Sequence, residues 1–135
     1  MKTLLLLFSA VLFSASLNAQ AYDASKITPP AEYENIHVHK VAGDSLTSTF
    51  IIFIKQNVAM HKHESHSENV IVLEGSGTMT LGSDRFEIKA GDIIFIPVNT
   101  WHSVIVNSIV PLKVISVQSP EFDGKIGRAS CRERV

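Results

Sequence analysis

From Glu34 onward the chain reads as β throughout, in short apolar runs and in segments where apolar and polar residues alternate with a period of two, the repeat of a strand that buries one face. Residues 35–41 and 85–89 alternate cleanly. Residues 46–55 are rich in Thr, Ile and Phe, and residues 70–73 form a short β-branched run ahead of Gly75. Residues 78–81 run into the turn Gly82-Ser83-Asp84, and the apolar run 93–96 stops at Pro97. Residues 101–106 and 112–117 complete a set of about eight strands, which predicts an all-β sandwich or barrel. No stretch sustains a helical period over three turns.

The chain ahead of Glu34 breaks this pattern. Residues 4–13 are a continuous apolar run, too short to span a bilayer. Lys2 precedes it, and small residues ending in Ala19-Gln20-Ala21 follow. That order reads residues 1–21 as a secretory signal. No Arg-Arg pair precedes the run and no cysteine follows it, so neither a twin-arginine leader nor a lipoprotein anchor is expected, and no membrane anchor should remain after cleavage. Residues 22–34, with Pro29-Pro30, are expected to be an extended linker.

Composition sharpens this picture. The 135 residues are 45% hydrophobic and 19% charged, which is globular and excludes a disordered chain. The 12 basic and 13 acidic residues leave no electrostatic footprint for nucleic acid. Cys131 is the one cysteine, which excludes an intrachain disulfide and a cysteine zinc site.

Residues 126–135 hold three arginines, whereas Arg85 is the one arginine before them. Their sequence matches the translation of ATC GGA AGA GCG TCG TGT AGG GAA AGA GTG, a common short-read sequencing adapter. They are expected to be an unstructured artefact, with the natural chain interrupted near Lys125 and the folded domain at residues 35–125. Without leader and tail, residues 22–125 carry 8 basic and 12 acidic residues, a net charge of −4, and no cysteine. A periplasmic or secreted domain of that kind relies on its core or on a bound metal.

The chemistry concentrates in His61-Lys62-His63-Glu64-Ser65-His66-Ser67-Glu68. On a strand, His61 and His63 point to one side and Lys62 to the other. Glu68 shares the inward parity of Val70 and Val72, and His102 shares that of Val104 and Val106. Three imidazoles and one carboxylate suit a divalent transition metal, and on a six-coordinate ion they leave two positions for water or substrate.

His61-x-His63-x4-Glu68-x6-Gly75 resembles the first motif of the cupins, with Lys55 where the motif's leading glycine would stand. Gly91-x5-Pro97-x-Asn99-x2-His102 resembles the second, with Asn99 in place of a glycine and Asn107 one position late for the closing asparagine. The resemblance spans residues 46–117 and is to small single-domain, RmlC-like cupins. It implies a jelly-roll β-barrel (a double-stranded β-helix) with the metal between its sheets, ligated by His61, His63, Glu68 and His102.

His37-x-His39-x4-Asp44 mimics the ligand spacing, but its histidines lie opposite Ile36 and Val38 and are expected on the exposed face. His66 is expected to be a solvated loop residue, with replacement of Glu68 as ligand or gating of the pocket as alternatives. Glu64 and Glu74 are expected at solvated strand ends. Trp101 is expected to border the pocket or a dimer face.

The resemblance leaves three classes of function open. One is a metal-dependent dioxygenase-type oxidoreductase or a sugar isomerase or epimerase. Another is a non-enzymatic module binding metal or a small molecule such as a sugar. The last is a barrel merely stiffened by its metal. No acid or base beyond the ligands stands out except His66, which disfavours isomerisation. An exported chain meets its metal outside the cell, where intrinsic affinity favours zinc or copper over iron and manganese, with iron, manganese and nickel kept as alternatives. The expected partners are a small-molecule ligand and a second copy in a homodimer.

Overall fold

The computed structural model of the chain describes residues 20–125, together with Gly127 and Arg128. Residues 1–19 of the expected signal, Ile126 and residues 129–135 lie outside the described residues. The strands are β1 (Ile36–Gly43), β2 (Ser48–Ile54), β3 (Asn57–Lys62), β4 (Ser67–Glu74), β5 (Ser76–Leu81), β6 (Asp84–Lys89), β7 (Ile93–Ile96), β8 (His102–Val106), β9 (Leu112–Ser119) and β10 (Gly127–Arg128). They form two five-stranded sheets, ordered β1-β2-β9-β4-β7 and β10-β3-β8-β5-β6. Every pairing among the described strands is antiparallel, which gives the all-β sandwich or barrel expected from the alternation and the jelly roll that the cupin resemblance implies.

The core lies between the sheets. Ile54, Val70, Val72, Ile94, Ile96, Leu112 and Val114 come from the first sheet, and Met79, Ile88 and Val104 from the second. Burying these side chains contributes about 1.5–3 kcal/mol each. Gly75 turns β4 into β5 at φ 82°, and a Cβ there would stand 2.9 Å from the Pro111 carbonyl oxygen. The motif glycine is thus required by backbone conformation and by close approach.

β2 is buried on both faces. Phe50, Ile52 and Ile54 face the interior, while Ile51 and Phe53 face outward yet are only 2% and 5% exposed. The cover is the segment ahead of β1. It makes a 3₁₀ turn at Ala24–Lys26, and the buried Lys113 ammonium donates to the Ala24 and Ile27 carbonyls at 2.7 and 2.9 Å. Residues read as a linker therefore pack on the barrel.

Two strands escaped the pattern. In β3 the pairing with β8 shifts register between Val58 and His61, so inward residues fall three apart and the period of two is lost. β10 places Gly127 opposite Lys62 and Arg128 opposite His61. At these two positions the tail, expected unstructured, is paired. β3 would otherwise be a sheet edge, and an open edge accepts backbone of any sequence.

Candidate metal centre

The pairing of β3 with β8 sets His61 opposite His102, with ring centroids 4.1 Å apart. His63 lies one residue past the end of β3, where ladder bonds no longer hold it. The second motif holds it instead: Asn99, at φ 61°, donates its backbone N–H to the His63 carbonyl at 2.6 Å. The Asn99 side-chain oxygen accepts from Lys62 at 2.8 Å. Asparagine tolerates this left-handed conformation, which is why it stands where the motif has glycine. The His63 ring centroid is then 5.1 Å from those of both His61 and His102. The three histidines bring their ligand nitrogens within 4.8 Å of one another.

Glu68 reaches the cluster from the opposite sheet. Its Oε2 accepts from His63 Nε2 at 3.1 Å and lies 3.7 Å from His102 Nε2. Its Oε1 accepts a short bond from the Ser116 hydroxyl. Ser116 Oγ in turn accepts from Gln118 Nε2 at 3.1 Å. Glu68, Ser116 and Gln118 are all buried. Burial by itself would raise the Glu68 pKa, but the bonds from His63 and Ser116 outweigh it and hold the carboxyl below its ordinary value. Burial pushes His102 down to about 4, with His61 beside it adding to the effect.

The donor set fits a cation. His61 Nδ1 and His102 Nδ1 lie 2.9 Å from the carbonyls of Ala59 and Thr100. A carbonyl only accepts, so each Nδ1 carries the proton and each Nε2 presents a lone pair. Two such lone pairs and the Glu68 carboxylate are donors that a divalent transition metal takes, and His63 Nε2 would add a third once the proton it donates to Glu68 is displaced; outer hydrogen bonds of this kind orient metal-binding imidazoles.

The structure brings His61, His63 and His102 into one cluster, with Glu68 against His63 and His102. It leaves His37 and His39 on the outer face of the first sheet, opposite Phe53 and Ile51. Glu64 and Glu74 are exposed. Asn107 lies away from the cluster and donates to Thr78 and Glu87 at 2.8 Å. Trp101 is partly buried, with the Lys62 ammonium 5.2 Å from its ring centre.

His66 departs from expectation. It is 1% exposed, its ring lies 4.3 Å from that of His63, and Phe122 packs edge-on at 5.4 Å. A bend between two ligands turns inward because both its ends are anchored in the barrel. Burial, and then the nearby His63, lower its pKa.

Ser116, Gln118 and Phe122 are site residues that the pattern did not single out. A signal was available for two of them: Ser116 and Gln118 share the inward parity of Leu112 and Val114 and are polar.

Beside the histidines, between the sheets, lies a cavity of about 230 Å³. Two antiparallel sheets closed over such a cavity, with three histidines converging at one end, define a jelly-roll barrel with a candidate metal centre.

Residues 53–118 match the cupin domain family. An uncharacterized protein of Methanocaldococcus jannaschii is 35% identical over 86 residues, covering 64% of this chain and 68% of that protein. A solved Klebsiella pneumoniae structure, an uncharacterized conserved protein with a double-stranded β-helix domain, superposes with TM-score 0.72 at 17% identity, over 84% of this chain and 99% of that one. An RmlC-like cupin from Shewanella frigidimarina superposes with TM-score 0.61 at 18% identity, over 67% and 80%. The chain belongs to the cupin family.

Proposed function

We propose that His61, His63, His102 and Glu68 hold one divalent transition metal, and that this centre binds a small molecule in the adjoining cavity. The convergence of three histidine ligand nitrogens within 4.8 Å, with the Glu68 carboxylate against two of the rings, carries the reading. When bound, the ion supplies a Lewis-acidic centre for a ligand's oxygen atoms. The chain's own part is to fix the imidazole tautomers through Ala59 and Thr100 and to keep Glu68 ionised through Ser116.

Among metal-assisted activities, oxygenase-type oxidoreduction fits this wall better than sugar isomerisation or epimerisation. Isomerisation needs a protein acid or base beside the ligand, and among the described residues the cavity is lined by no titratable side chain beyond the four proposed ligands. The occupying metal discriminates further. Copper, iron, manganese or nickel would support oxidation, whereas zinc would mark a binding module. The leader-like residues 1–21 support an exported, periplasmic or secreted protein, for which zinc or copper is the proposed occupant.

The test is elemental analysis of the purified chain combined with an oxygen-uptake screen over diols and β-diketones. The expected result is near one equivalent of metal per chain, lost in His102→Ala. Equal metal content in the variant would refute the centre.

A further inference from the structure

The cavity has one polar pole and an otherwise hydrocarbon wall. His61, His63, His102 and Glu68 stand at the pole. Away from it, the first sheet contributes Val70, Leu112 and Val114, and the second Met79, Ile88 and Val104. Two further polar residues line it among the described residues, Ser103 and Gln118. Ser103 alternates with His102 and Val104, so its side chain faces the other side of the sheet. Gln118 is partly committed: Ser116 spends its proton on Glu68, so its oxygen accepts one of the two Gln118 amide hydrogens. That orients the Gln118 amide, whose Oε1 is buried and has no hydrogen-bond partner, so Gln118 is the one wall side chain away from the pole, among the described residues, with polar capacity left. The mouth is apolar as well. Ile36 and Val38 line the cavity and are 42% and 53% exposed at the open edge of the first sheet.

We propose that the ligand of this centre is a compact apolar molecule, aromatic or branched aliphatic, whose metal-binding oxygens sit at one end only. The proposal rests on the metal centre above for the polar end, and on the cavity wall for the rest. A dry cavity of about 150 Å³ suffices for benzene, so about 230 Å³ admits a substituted ring. A sugar would carry hydroxyls all round its ring into a wall where, away from the pole, Gln118 alone among the described residues could return a hydrogen bond. Each hydroxyl buried unpaired lowers affinity by about tenfold or more.

The experiment uses the whole chain in two forms. Zinc-loaded protein is titrated calorimetrically with 4-tert-butylcatechol and with D-glucuronate, and metal-free protein is probed with toluene by ligand-observed NMR. The catechol is expected to bind at least tenfold more tightly than glucuronate, and toluene to bind without metal. Val104→Phe, which fills the wall, should weaken the catechol and toluene at least tenfold. Val58→Phe, at a less buried wall position, replaces it if that variant does not fold.

Glucuronate binding as tightly as the catechol would overturn the proposal, as would toluene failing to bind while wall filling leaves the catechol unaffected. If the chain retains no zinc, the metal centre fails and the toluene arm alone decides the cavity. If zinc is held but neither apolar probe binds, the cavity proposal falls and the centre stands.

Discussion

Ser116→Ala isolates the hydrogen bond that holds Glu68 ionised between the sheets. Ser116 is fully buried, and alanine differs from it by one oxygen, so packing hardly changes. Two interactions are lost. The first is a charge-assisted bond to a buried carboxylate, worth about 1.5–3 kcal/mol. The second is the partner of the Gln118 N–H, whose stranding costs about 1 kcal/mol. Glu68 keeps its bond to His63, so the expected loss in metal-free protein at pH 7 is about 2–4 kcal/mol. For a domain of this size that lowers Tm by about 10–20 °C.

The loss has a pH signature. The Glu68 pKa is lowered in the folded state, so its contribution is complete above the ordinary value of 4.5 and disappears as pH falls through the folded value. Urea melts of the two metal-free proteins should therefore differ fully at pH 7 and by less in acid, where the stranded Gln118 N–H alone remains. Metal affinity, measured by competition with a chromophoric chelator, should fall about 10–100-fold, as for other outer-sphere partners. A stability change under about 0.5 kcal/mol with unchanged metal affinity would show that Ser116 does not support Glu68.

Three further outcomes test other parts of the argument. The His102 pKa is depressed from 6.5 to about 4, so the unfolded chain binds that proton first; metal-free protein should lose up to about 3 kcal/mol as pH falls through this window, and a urea-melt pH series on wild type and His102→Gln should show the dependence shrink in the variant. Asn99→Gly should be close to neutral because glycine adopts φ 61° freely, whereas Asn99→Val should cost about 1–2 kcal/mol and weaken metal binding through the lost grip on His63, both read from melts and chelator competition. The double variant His37→Ala, His39→Ala should leave metal stoichiometry unchanged, because both side chains sit on the outer face; a lost equivalent in elemental analysis would refute that placement.

The strand texture was legible because it depends on neighbours in sequence. Alternation in β4 and β8 gave Glu68 and His102 their inward parity, and the short spacing of His61 and His63 joined them without knowledge of the rest of the barrel. Parity failed in β3, where the shift between Val58 and His61 breaks the count, and in the bend at His66, which belongs to no strand.

By itself, the sequence determined the all-β class and most inward faces, which follow from alternation, and the four candidate ligands, which follow from the spacings of two motifs and their resemblance to those of cupins. Tertiary structure alone decided what surrounds them. Period two names a face but not the strand lying beside it. The sheet order β2-β9-β4 brings Ser116 onto Glu68 across 48 residues of chain. The return of the chain past β9 brings Phe122 onto His66 and buries it. Closure of one sheet over the other turns inward-facing valines and leucines into the wall of a cavity, because a void exists only between surfaces that the fold has brought together.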